Sequence, residues 1–147
     1  MLTYEYKRLV NWSECDPGGI IFFPNYARWV ADGLSMLFIQ LGWDPNLPLG
    51  GGKGRGIPSV GLNLKFNKPA LLHETIVHQI KVTKLGGASM SFSHAILRGD
   101  EALMEATETR IWAEHDALNP GGLHSMPIPE ALRALLSEDK VLQGQLF

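Results

Sequence analysis

Cysteine is nearly missing from this sequence: Cys15 stands alone among 147 residues. An internal disulfide and a cysteine-rich zinc site are thereby excluded. Charge is sparse and balanced, with 19% Asp, Glu, Lys and Arg and a formal net charge of −2. Such a chain has no basic footprint for nucleic acid. No apolar run approaches the ~20 residues that span a bilayer, so no membrane partner is expected. The opening segment MLTYEYKRLV alternates and has no signal-peptide core. A cytoplasmic location is therefore expected, and the glycosylation-like Asn11-Trp12-Ser13 is read as chance. Internal repeats and domain linkers are also missing. At 45% hydrophobic, residues 1–147 are read as one folded domain.

Hydrophobic periodicity supplies the element order. Tyr4, Tyr6, Arg8, Val10 and Trp12 share one face of a strand over residues 3–12. Tyr26, Trp29, Val30, Gly33, Leu34, Leu37, Phe38 and Leu41 recur at helical spacing, which predicts a long helix over 25–41. Gly33 interrupts that apolar stripe, and its use there is close approach to a sheet. Gly42 and Pro45 stop the helix. Residues 44–58 form a glycine-rich loop. Strands follow over 59–67, 75–84, 88–98 and 102–113, the last three separated by hairpin-length connections. A modest helix closes the pattern over 127–138. One strand, one long helix and four more strands imply an α+β domain with a five-stranded antiparallel sheet around the helix. Such a sheet leaves open edges, so pairing with a second copy is expected.

The run Asn11–Trp29, NWSECDPGGIIFFPNYARW, carries the chemistry. Asp16 enters a Pro17-Gly18-Gly19 turn. Pro24 suits the first turn of a helix, where its missing N–H costs nothing. The first backbone N–H groups of a helix lack partners and carry partial positive charge, so they can polarise a carbonyl. A carboxylate beside an electrophilic backbone suits attack on an activated acyl group.

Two parts of this run, Cys15-Asp16-Pro17-x-Gly19-Ile20 and Pro24-Asn25-Tyr26-x-Arg28-Trp29, resemble the 4-hydroxybenzoyl-CoA thioesterase family of hot-dog-fold enzymes. The element order agrees over roughly residues 3–115. The resemblance implies a hot-dog fold, an acyl-CoA thioesterase acting on a small or aromatic acyl group, and no cofactor. It places Asp16 as nucleophile or general base and the backbone amide of Phe23 as the carbonyl-polarising donor. Gly19, Pro24, Asn25 and Tyr26 become substrate-binding positions. It also implies a homodimer with the sites at its interface, assembling to a homotetramer. Lys53, Arg55, Lys84 and Arg98 are the candidate cations for CoA phosphates. The hairpin near Lys84 is less basic than the family's, which leaves room for an acyl carrier protein. The aspartate that reads the substrate hydroxyl in the family falls at Ala31. Asp32 lies about 100° further round the helix and is expected on the surface, so 4-hydroxybenzoyl specificity is not expected.

Other features are weaker. Gly50-Gly51-Gly52-Lys53-Gly54 lacks the Ser or Thr of a phosphate loop. Gly87-Ala88-Ser89-Met90-Ser91 opens a strand and lacks the last Gly of a nucleophile elbow. His78 and His94 can meet across a hairpin but offer no third ligand, so no metal is expected. Cys15 reads as an inert thiol, and Glu14 as a solvated charge at a strand end. The rival from another class is a non-catalytic hot-dog subunit that binds acyl thioesters. A hydratase of this fold would need a His near the Asp, and residues 1–72 contain none.

Overall fold

The computed structural model describes residues 1–116, 119 and 121–145. In chain order the elements are β1 (Thr3–Leu9), a 3-10 turn (Trp12–Glu14), α1 (Pro24–Gln40), β2 (Pro48–Gly50), β3 (Lys53–Gly56), β4 (Ser59–Phe66) and β5 (Thr75–Leu85). There follow β6 (Ser89–Arg98), β7 (Glu101–Ile111), β8 (Ala113–Asp116), β9 (Leu123–Ser125), α2 (Glu130–Ser137) and β10 (Val141–Gln143). The five long strands stand antiparallel in the order β1-β5-β6-β7-β4, and three-residue β10 joins β1 in parallel. No helix among the described residues is long and apolar enough to cross a membrane.

Two expectations need correction. The glycine-rich loop contains a hairpin: β2 and β3 pair with each other, β3 with β8, and β8 with β9, in a second small sheet. Glycine runs obscure strand periodicity because they carry no side chains to alternate. The last long strand also breaks at Trp112, whose ring turns inward, 5% exposed, against Phe38 and Trp43.

The sheet's inner face is mostly apolar, with buried Arg8 on β1 and one diagonal row of polar side chains. Tyr6 on β1 bonds His78 Nδ1 on β5 (2.6 Å). His78 Nε2 bonds His94 Nδ1 on β6 (2.9 Å), and His94 Nε2 bonds Glu108 Oε1 on β7 (2.9 Å). Arg110 Nε closes the row on Glu108 Oε2 (2.9 Å) and donates Nη1 to the Ile57 carbonyl (2.9 Å). The row divides the core. On one side Tyr26, Trp29 and Val30 of α1 pack with Ile76, Ile96, Leu103 and Met104. On the other, Leu34, Leu37 and Phe38 pack with Ile80, Phe92, Trp112 and the α2 residues Leu132 and Leu136.

Burial resists ionisation in this row. His78, fully inside, is held well below the usual histidine range, first by burial and then by His94 and Arg8. Burial also opposes the Glu108 charge, but the bonds from His94 and Arg110 outweigh it and lower its pKa. With His78 neutral, one proton per bond satisfies the row. Tyr6 O–H donates to His78, His78 Nε2–H to His94, and His94 Nε2–H to the Glu108 carboxylate.

Gly33 lets α1 sit on this row. A Cβ there would lie 2.6 Å from His78 Cε1 and 2.8 Å from the Tyr6 hydroxyl. The close approach read from the sequence is present, and its partner is polar. Gly33→Ala gains roughly 1 kcal/mol of helix propensity, but overpacking costs about 1–3 kcal/mol. A net loss of stability is expected in urea titration, and a stabilised variant would contradict the contact.

The row also makes stability depend on pH. The folded His78 pKa is depressed, so below the unfolded value of about 6.5 only the unfolded chain takes up the proton. That stability is present above pH 6.5 and lost as pH falls. One such group lowers the unfolding free energy by about 1.4 kcal/mol between pH 7.5 and 5.5. Urea titrations at the two pH values are expected to show this drop, and His78→Gln to reduce it. Further loss follows as pH falls through the ordinary carboxylate range, where Glu108, whose folded pKa is also depressed, takes up its proton first in the unfolded chain.

Candidate active site

The site begins where β1 ends. Asn11 bonds the Glu14 carboxylate through its backbone N (3.0 Å) and its Nδ2 (3.2 Å), which closes the 3-10 turn. Cys15 then bridges to Ile21, and Asp16 N donates to the Ile20 carbonyl (2.9 Å). Between them Gly19 N returns to the Asp16 carbonyl (3.1 Å) in a tight turn. Gly19 takes φ +80°, a left-handed conformation that suits glycine. Asp16 Oδ1 accepts the Gly18 N–H (2.8 Å), and the half-buried carboxylate keeps its second oxygen uncommitted among the described residues.

The other side of this ladder leads into α1. Phe22 N donates to the Glu14 carbonyl (2.9 Å), and Asn25 Nδ2 donates to the same oxygen (2.8 Å). The Phe22 and Phe23 carbonyls accept the N–H groups of Asn25 (2.9 Å) and Tyr26 (3.1 Å). Phe23 caps the helix with φ −54° and ψ −33°, and Pro24 fills the first helical position. The Phe23 N–H has no partner among the described residues. The Phe22 and Phe23 rings are 52% and 60% exposed, so the helix start opens onto an apolar surface.

The expected substrate-binding positions separate into two groups. Gly19 and Pro24 shape the turn and the helix start. Asn25 is 9% exposed and tied to Glu14, while Tyr26 is 2% exposed. Tyr26 accepts the Ala70 N–H (3.2 Å) and stacks on Phe66 (5.5 Å). These two side chains brace the helix start from inside.

Of the four candidate cations, Lys53 and Arg55 share β3 and line one cleft, while Lys84 and Arg98 lie on β5 and β6. Lys53 and Lys84 are exposed. The Arg55 guanidinium lies over the rings of Trp112 (4.9 Å) and Trp43 (5.4 Å). Arg98 bonds both Glu74 oxygens, Glu101 (3.0 Å) and the Pro69 carbonyl (3.2 Å). Asp32 is half exposed and 4.0 Å from Arg8. It lines a cleft of about 480 Å³ beside α1, with Ala31, Ser35, Ile57 and Arg110.

Glu14 overturns its expectation as a solvated charge, because its side chain is 14% exposed. Its Oε2 accepts Arg8 Nη2 (2.7 Å) and Trp29 Nε1. Burial opposes its charge, and the bonds from Arg8, Asn11 and Trp29 outweigh burial and lower its pKa. The available signal was Asn11-x-x-Glu14, a capping-box spacing ahead of the motif. Cys15 is half-buried. Burial, then the Glu14 and Asp16 charges, push its thiol up, away from the reactive thiolate.

The thioesterase superfamily profile matches residues 18–105. The chain belongs to the thioesterase superfamily. Its reaction class is thioester hydrolysis. The 4-hydroxybenzoyl-CoA thioesterase of Pseudomonas sp. (strain CBS-3) is 29% identical over 116 residues, 75% of this chain and 82% of that protein. A gentisyl-coenzyme A thioesterase structure superposes with TM-score 0.73 at 22% identity, covering 90% of this chain and 99% of the other. A 4-hydroxybenzoyl-CoA thioesterase variant in complex with 4-hydroxybenzoyl-CoA gives TM-score 0.73 at 22% identity, covering 92% and 99%. These two likenesses establish the hot-dog fold of this superfamily member.

Proposed function

We propose that this superfamily member hydrolyses the thioester of a small or aromatic acyl-CoA, with Asp16 as nucleophile or general base. One observation carries the reading. A short ladder presents a half-buried carboxylate on one arm and the Phe23 N–H on the other, and among the described residues one carboxylate oxygen and that N–H have no partner. The amide donates to the thioester oxygen, where negative charge develops. Asp16 then acts in one of two ways. As nucleophile it bonds to the acyl carbon, the C–S bond breaks, CoA leaves as thiolate, and water opens the mixed anhydride. As base it takes a proton from the attacking water. A thioester is activated enough for either without a Ser–His pair.

The aromatic CoA thioesterases among the similar proteins support an aromatic acyl group, and the exposed Phe22 and Phe23 rings offer an apolar seat for it. Of the four candidates, Lys53 and Lys84 are exposed and have no partner among the described residues, so they are placed to meet CoA phosphates. Arg55 and Arg98, already engaged, contribute there only by sharing their donors. An acyl carrier protein presenting the same thioester is the alternative donor.

Asp16→Asn tests the assignment. The amide oxygen keeps the bond from Gly18, so stability is expected to stay within about 0.5 kcal/mol. The amide is neither nucleophile nor base, so kcat on the best of a panel of aromatic and straight-chain acyl-CoAs should fall at least ~10²-fold. A loss below about tenfold would leave Asp16 a turn residue only.

We also propose that the working form is at least a homodimer, and that dimers pair into a homotetramer. Among the described residues β4 is paired on one side only, by β7, and Val60, Leu62 and Phe66 on it are 62%, 44% and 49% exposed. An apolar open edge recruits another strand. Sedimentation at micromolar concentration should show more than one chain mass. Replacing Val60 and Leu62 by Lys should give a folded, less active monomer. A wild-type monomer with full activity would defeat the proposal.

A further inference from the structure

Glu14 takes no part in the chemistry above, yet it is bonded through every oxygen it has. The carboxylate accepts Arg8, Trp29 and two donors of Asn11, and the backbone carbonyl accepts Phe22 N and Asn25 Nδ2. These bonds reach β1, the 3-10 turn and α1 from one residue. We propose that Glu14 is the positioning residue of the site, a charged joint that fixes the Asp16 carboxylate relative to the Phe23 amide. This rests on the roles given above to Asp16 and Phe23.

The chain geometry makes Glu14 the joint. Asp16 lies two residues beyond it on one arm. On the other, Phe23 directly follows Phe22, whose N–H is held by the Glu14 carbonyl at 2.9 Å. Helix α1 is fastened to the same point twice, through Asn25 at its first turn and Trp29 one turn later. Any rotation at Glu14 therefore moves carboxylate and amide with respect to each other. Reacting atoms must come within about 3–3.5 Å, and misplacement by about 1 Å costs on the order of 10²-fold in rate.

The joint requires the negative charge as well as the shape. Every partner of the Glu14 carboxylate is a donor. Arg8, only 6% exposed, lies over the Trp29 ring at 4.7 Å and directs Nη2 at Glu14. Glutamine keeps the length but turns an NH₂ group toward one of these donors. The buried guanidinium and the indole then share one neutral oxygen, and the arms are free to shift.

A double-mutant cycle with Asp16→Asn separates positioning from general damage. In the wild-type background Glu14→Gln is expected to lower kcat about 10- to 100-fold, the range of outer partners of a reacting group. KM should change less than about threefold, because the seat of the acyl group is untouched. In the Asp16→Asn background the same change should cost less than about twofold, since no reacting carboxylate remains to misplace. Trp29→Phe removes one Glu14 bond and keeps the ring, so a smaller loss with the same background dependence is expected. It decides the question if Glu14→Gln does not fold.

Equal losses in both backgrounds would make Glu14 a stabilising residue and overturn the inference. So would Glu14→Gln with kcat unchanged while Asp16→Asn is crippled, which leaves the reading of Asp16 standing. An active Asp16→Asn enzyme would remove that reading and this inference together.

Discussion

The position of α1 on the sheet is set by a contact between backbone and imidazole. Residue 33 has no side chain, so the helix comes down onto His78 and Tyr6 at a distance any larger residue would prevent. The polar row beneath is acceptable in a core only because each member is bonded, from Tyr6 to Arg110. Sliding α1 along the sheet would bring a residue with a side chain onto His78 and Tyr6, where only Gly33 leaves room. The two apolar clusters flanking the row supply the driving force for burial. The row supplies the register, and the helix start inherits its place from it.

Much of this architecture is legible in the sequence because it rests on periodicity. Tyr4, Tyr6, Arg8 and Val10 alternate inward as the pattern of residues 3–12 requires. The stripe from Tyr26 to Phe38 is buried along α1. The hairpin β5-β6-β7 follows from short connections. What escaped were elements whose residues lack a period. The β2-β3 hairpin is mostly glycine and proline, and β10 is three residues held by a long-range parallel pairing. Neither signal is local.

The site divides in the same way. The Asp16 turn and the Pro24 helix start are local features, and the structure has both where the motif puts them. The partners of the charged groups are not local. Glu14 meets Trp29 across fifteen residues, and Arg98 meets Glu74 across twenty-four. Arg55 spends its charge on two rings from different parts of the chain. A cation in a loop looks available until the folded chain supplies its partner. The histidines show the converse. Two strand imidazoles could be read as meeting across a hairpin, but their other partners, Tyr6 and Glu108, which make a finished hydrogen-bond row, come from β1 and β7.

The two margins of the main sheet differ. One ends in three-residue β10, a margin too short to template a further strand, whereas the other ends in eight-residue β4. Growth of the sheet is therefore directional. If β4 meets the β4 of another copy about a two-fold axis, the joint consumes both long margins at once and the combined sheet ends in β10 on either side. No long sheet margin remains for a third copy to extend, so pairing of dimers into a tetramer uses another surface. The same feature that invites strand pairing also ends it, which protects an apolar strand edge from running on into a fibre.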